Sequence, residues 1–320
     1  MLTTAFMMQR LVEKPFRNML ANARTLGRFA ALTVILTIAT HGTFLAKGWP
    51  QRLNAQQQAA TRLMESSFQP CQPIEGGRCA FGDINAPLGL EIIGDSLAAH
   101  YVGSFDPILQ DRRIRGEISE RSSGCPVLVG LDLPKNNWNP RLCQQTITEE
   151  LARVRKTATH LVIAQYWPAY SDDQYQKGRE ASSGHYSRIQ QALEATIGDL
   201  GKNGRKILLM GAMVLAQQCN FDRARLLPGP LPHAHPPDCA PKPRPIAIRE
   251  TAEINAMLLT VQQKWPSQVS LLLPTDVLCD EQCPTVKNGA WLYINANHFN
   301  VSGARYFGER AKDQFNRFLD

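Results

Sequence analysis

Residues 90–101 read LEIIGDSLAAHY, a short apolar run that stops at Gly94 and places Ser96 at the entrance of a helical stretch. A run of this length, bounded by a turn glycine, reads as a strand buried on both faces. Gly94 permits a tight turn, and a serine entering the following helix stands among backbone N–H groups able to stabilise an oxyanion. The plainer reading makes Ser96 a helix cap and Asp95 a turn residue. Three residues do not separate the two readings, so the rest of the chain has to.

Outward from this stretch, 160–167 (HLVIAQYW), 205–212 (RKILLMGA) and 269–274 (VSLLLP) are further apolar runs of strand length. Between them, 148–156, 186–200 and 248–264 carry helical spacing, and 302–318 closes the chain as a helix with Ser302 as its expected cap. Strand and helix alternating with crossovers of this length predict an α/β fold, a three-layer sandwich around a mostly parallel sheet. Ligands in such a sheet gather at the carboxyl ends of the strands, which is where Ser96 falls. At the far end of the chain, WLYINANHFNVSGARYFG (291–308) holds His298 in a loop before the last helix. From there a base can reach the same rim of the sheet as the serine.

With 320 residues, 43% of them hydrophobic and 20% charged, the chain is long enough for one domain with a sizeable core plus appendages. The net charge of +7 is uneven, because six basic residues against Glu13 alone put +5 of it before residue 48 and leave +2 for the remainder. The basic residues flank an apolar segment instead of covering a folded surface, which argues for topology and against nucleic-acid binding. That segment, FAALTVILTIATHGTFLA (29–46), carries no formal charge and is followed by Trp49. It is expected to span a membrane once over 29–47, with the N-terminus cytoplasmic by the positive-inside rule and everything after Lys47 exported. Inside the span, His41 suits packing or snorkelling better than chemistry.

The cysteines bear on that topology independently. Cys71, Cys79, Cys125, Cys143, Cys219, Cys239, Cys279 and Cys283 all follow the span. An even set confined to the exported side implies disulfides. Short nearest-neighbour loops suggest 71 with 79, 125 with 143, 219 with 239, and 279 with 283. A zinc site from His233, His235 and Cys239 is the rival for HAHPPDC, but the eight prolines of 228–245 read instead as an irregular loop pinned by a disulfide, so no metal or other cofactor is expected.

In this order the motifs resemble the SGNH (GDSL-like) hydrolase superfamily, and more closely the periplasmic SGNH domain at the C-terminus of acyltransferase-3 membrane proteins, which O-acetylate lipopolysaccharide and other envelope glycans. IGDS corresponds to the nucleophile block at Ser96, SSGCPVL (122–128) to the block at Gly124, and LVIAQYWPAY (161–170) to the third block. VLCDEQC (277–283) corresponds to the late cysteine pair, and NHFNVSGA (297–304) to the histidine block. RLVEKPFRN (10–18) is similar to the sequence that closes the acyltransferase-3 membrane domain. The resemblance implies four segments: a basic cytoplasmic stretch over 1–28, a span over 29–47, a periplasmic connector over 48–87 and an SGNH domain over 88–320.

It also implies roles. Ser96 attacks an acyl carbonyl, His298 takes and returns the proton, and the N–H groups of Ser96 and Gly124 hold the oxyanion, with Gln165 standing where better-known relatives carry an asparagine. Asp95 and Trp167 are candidate substrate contacts, and Trp138 and Tyr170 aromatic candidates for a sugar site. Three residues before His298 the family carries Asp and this chain carries Asn295, a change that costs about 10⁴ in turnover in the serine proteases. The implied function is O-acyl transfer to an envelope glycan, or ester hydrolysis, at the periplasmic face of a bacterial inner membrane. The acyl group would be delivered by a multi-span acyltransferase domain or subunit. The alternative is a catalytically weak SGNH-fold module that binds glycan or a membrane partner.

Overall fold

The computed structural model describes residue 10 and residues 23–45, 71–133, 139–157, 159–172, 186–216, 240–288 and 290–320. The Cys219 and Cys239 pairing, His233, His235, Trp138, Trp49 and all of residues 10–18 except Arg10 lie outside these. The chain divides into two units, Met1–Gln58 and Ala59–Asp320.

In the first unit, Ala23–Leu45 is a single helix, α1. Its apolar side chains are uncovered: Leu32, Val34, Ile35, Leu36 and Ile38 are 52–65% exposed. The hydroxyls of Thr37, Thr40 and Thr43 donate to the carbonyls four residues earlier at 2.7–2.8 Å, so these polar groups are satisfied within the helix. Among the described residues no helix is long and apolar enough to cross a membrane. The span expected over 29–47, whose last two residues lie outside the described ones, is taken up again with the function.

The second unit is built on a seven-stranded sheet. Its strands are β1 (Gln72–Ile74), β2 (Arg78–Gly82), β3 (Leu88–Gly94), β4 (Arg115–Ser119), β5 (His160–Ala164), β6 (Ile207–Met210) and β7 (Val269–Leu272). Their order is β1-β2-β4-β3-β5-β6-β7. β4, β3, β5, β6 and β7 run parallel, and β1 and β2 add antiparallel at the β4 edge. The sheet thus starts inside the stretch expected to be a connector over 48–87. β1 joins β2 as a local hairpin, but the pairing of β2 with β4 depends on long-range contacts rather than on local pattern.

Apolar side chains alternate between two buried layers. Leu90, Ile92, Val162, Leu208 and Met210 pack with Phe105, Phe299, Phe307 and Phe315 on one face. Ile93, Leu161, Ile163, Ile207 and Leu209 pack with Ile147, Ile197 and Leu258 on the other. Continuous apolar runs are what a parallel sheet covered on both faces requires. The one charge in the opening run, Glu91, is fully buried; it pairs with Arg153 and accepts the Thr159 hydroxyl at 2.8 Å.

Helices α2 (Ser96–His100) and α3 (Val102–Asp111) follow β3, and α4 (Pro140–Val154), α5 (Ser187–Leu200) and α6 (Arg244–Lys264) supply the longer helical crossovers. The closing helix is two, α7 (Val301–Arg310) and α8 (Lys312–Leu319), divided at Ala311. Its cap is Asn300, not Ser302: the Asn300 side-chain oxygen accepts the Gly303 N–H at 2.8 Å while its amide donates to the Trp291 carbonyl at 2.7 Å. The disulfides Cys71–Cys79, Cys125–Cys143 and Cys279–Cys283 join nearest neighbours as the spacing suggested.

Candidate active site

The chain leaves β3 on one side for β4 and returns on the other for β5, so the strand order reverses at β3. In an open parallel sheet that reversal opens a crevice at the carboxyl end of the strand, and Ser96 stands there. Gly94 makes the exit: its φ is +146°, and a Cβ on it would lie 1.7 Å from the Ala164 carbonyl oxygen on β5. No other residue fits that approach.

Asp95, not Ser96, caps the helix that follows. Its Oδ1 accepts the Leu97 N–H at 2.9 Å, and its Oδ2 accepts the Tyr166 N–H at 2.9 Å and the Tyr170 hydroxyl at 2.8 Å. Burial pushes its carboxyl up to about 6, and the three donors offset part of that shift. At 3% exposure, with both oxygens engaged, Asp95 braces the nucleophile turn. Freed from capping, Ser96 is the first residue of α2 and only partly covered.

His298 reaches Ser96 from 202 residues away, with Nε2 2.8 Å from Oγ. The loop that carries it curls through an Ile294 N–H bond to the His298 carbonyl at 2.8 Å and is tied to the β6 side by the Ala216 N–H on the Ala296 carbonyl at 2.7 Å. Asn295 serves the loop as an aspartate would: its Oδ1 accepts the N–H groups of Asn297 and His298 at 3.1 and 2.9 Å and lies 3.0 Å from His298 Nδ1. A second amide oxygen, that of Asn297, lies 2.8 Å from the same nitrogen. With its proton on Nδ1, shared between two amide acceptors, the imidazole presents Nε2 as an acceptor to the serine hydroxyl. Burial lowers the His298 pKa below 6.5 and favours that neutral form. The sequence gives no signal for Asn297, because only the curl of the loop turns it toward the ring.

The remaining candidates separate. Gly124 adopts φ +70° in the turn before Cys125, whose disulfide to Cys143 ties that turn to α4. Gln165 follows β5, which pairs with β3 up to Gly94; it is 2% exposed, and neither atom of its amide has a partner among the described residues. It lines a small cavity of about 30 Å³ with Met213, Leu215, Thr251 and Ile254. Trp167 is 1% exposed and packs in the core, and its indole donates to the Met210 carbonyl at 3.0 Å. Tyr170 is likewise buried, with its hydroxyl committed to Asp95.

A serine hydroxyl bonded to a neutral imidazole at the switch point of a parallel sheet is equipped for nucleophilic attack on an ester and for proton return to the leaving alcohol. Comparison with known families gives a match to the SGNH domain fused to AT3 domains, over residues 63–313. Among solved structures, one described as a candidate acylhydrolase from Bacteroides fragilis NCTC 9343 aligns with 83% of this chain and 98% of its own, at 12% identity and a TM-score of 0.41. No curated protein matches the sequence.

Proposed function

The chain belongs to the family of SGNH domains fused to AT3 domains, and from that premise we propose that it transfers acyl groups through a Ser96 acyl-enzyme. Ser96 Oγ attacks the acyl carbonyl, His298 Nε2 takes its proton and returns it to the leaving oxygen, and the Ser96 and Gly124 N–H groups hold the oxyanion. Gln165 adds a third donor if its amide turns to the crevice. Water or a glycan hydroxyl then releases the acyl group by the same steps in reverse. The observation that carries this reading is the 2.8 Å contact between His298 Nε2 and Ser96 Oγ.

In the fuller proposal the acceptor is an envelope glycan such as lipopolysaccharide, and the domain faces the periplasm behind a single span at 29–47. The uncharged run, its basic N-terminal flank and the exposed apolar side chains of α1 support the anchor. Acetyl-CoA is cytoplasmic, so the donor would come through a multi-span acyltransferase partner, in keeping with the fusion that defines the family. A second reading, a binding module whose catalysis has lapsed, rests on Asn295.

The test is p-nitrophenyl acetate hydrolysis by the full chain in detergent with its disulfides intact, beside Ser96→Ala, with trapped acyl-enzyme sought by mass spectrometry. Turnover that disappears with Ser96, and an acyl group found on Ser96, are expected. Wild type and Ser96→Ala alike in rate would leave the binding module. An inactive alkaline phosphatase fused at the C-terminus would overturn the exported orientation.

A further inference from the structure

One buried imidazole outside the Ser96–His298 pair joins the two elements that hold it. His100 lies one helical turn after Ser96, on the same side of α2, and is 4% exposed. Its Nδ1 accepts the backbone N–H of Phe299, the residue after His298, at 3.0 Å. Its ring meets the His298 ring nearly at right angles, with centroids 5.7 Å apart and planes at 78°. Tyr101 and Phe299 flank it at 4.5 and 5.1 Å. An Nδ1 that accepts carries no proton, so neutral His100 is protonated on Nε2, which has no acceptor among the described residues. Burial holds this imidazole well below its ordinary range and so preserves the acceptor at neutral pH.

We infer that His100 is a positioning residue that sets the distance between nucleophile and base. Among the described residues it supplies the one hydrogen bond between the helix carrying Ser96 and the backbone beside His298. Apart from the Ser96–His298 contact itself, the other bonds of the base loop fix its curl and tie it to Ala216, and none of those fixes its backbone against α2. A neutral histidine suits the task. It gives a rigid acceptor to Phe299 and an uncharged ring to pack against His298, whereas a cation there would oppose the imidazolium that forms during proton transfer.

The inference rests on the acyl-transfer reading above, and its test keeps the two apart. In the full chain, His100→Leu removes the acceptor while His100→Asn sets an amide oxygen close to the Nδ1 position. Displacing a catalytic group by about 1 Å costs on the order of 10²-fold. His100→Leu is therefore expected to lose roughly that factor in kcat with KM little changed, and His100→Asn to recover most of it. Independently of turnover, ¹⁵N-histidine spectra should show His100 as the Nε2–H tautomer, and His100→Leu should shift the His298 ring signals. Wild-type kcat in His100→Leu, an Asn variant as impaired as the Leu variant, or a proton on His100 Nδ1 would each overturn the inference. If His100→Leu does not fold, the Asn variant and the tautomer decide. If wild type lacks Ser96-dependent turnover, the acyl-transfer reading fails instead, and the tie is judged by the tautomer and the His298 signals alone.

Discussion

His298 presents Nε2 to Ser96 only while its proton rests on Nδ1, and two amide oxygens hold it there in place of a carboxylate. An amide fixes the tautomer but does little for the imidazolium that forms when the serine gives up its proton. Asn295→Asp keeps the acceptor for both loop N–H groups and adds the missing charge. It should raise kcat, by up to about 10⁴ if the serine-protease precedent transfers. The pH dependence carries a second signature. The base must be neutral, so activity is lost as pH falls through the His298 pKa, which burial has lowered beneath 6.5. A carboxylate at 295 favours the cation and should move that acid limb upward. A profile of kcat/KM against pH for both proteins reads the rate and the shift together.

At the scale of the element, the closing helix owes its start to Asn300, whose side chain bonds Gly303 in front and Trp291 behind. Asn300→Ala should cost about 1 kcal/mol from the cap alone, and more for the lost bond from its amide to the Trp291 carbonyl. Ser302, the expected cap, does not perform that function, and Ser302→Ala should change stability by less than about 0.5 kcal/mol. Urea titration of the two variants distinguishes them. The reason for the misreading is local: Asn300 and Ser302 are both good cap types two residues apart, and the choice falls to whichever can also reach the Trp291 carbonyl. The strands divide in the same way. β3, β5, β6 and β7 are legible because apolar runs of strand length exist only to be buried, whereas β4 has Arg115 and Glu117 among five residues and resembles an exposed turn. Backbone pairing with β2 on one side and β3 on the other makes it a strand, and there Glu117 pairs with Arg115 and with Arg78 of β2.

At the scale of the molecule, the crevice is assembled from elements distant in sequence and held by cross-links. Cys125–Cys143 closes a loop of 18 residues beside Gly124. Replacing both cysteines by serine should cost about 3 kcal/mol through the entropy returned to the unfolded chain. If Gly124 holds the oxyanion, kcat should fall as well, since the turn loses its tie to α4. Thermal unfolding and ester hydrolysis on the same double variant separate the two effects.

The sequence by itself determined the α/β fold with its mostly parallel sheet, the serine at the end of the first long strand and the histidine before the last helix, and it suggested the three nearest-neighbour disulfides described. Each of these is written in local pattern: apolar run length, a turn glycine, short cysteine loops and motif order. Only the tertiary structure decided what surrounds them. It put the strand reversal at β3, drew residues 72–82 into the sheet, turned Asn297 toward His298, and committed Asp95 and Trp167 to buried hydrogen bonds. A polar or aromatic residue beside a nucleophile reads the same in sequence whether it faces substrate or core. Which of the two it does is settled by the partners that long-range packing brings within hydrogen-bond reach.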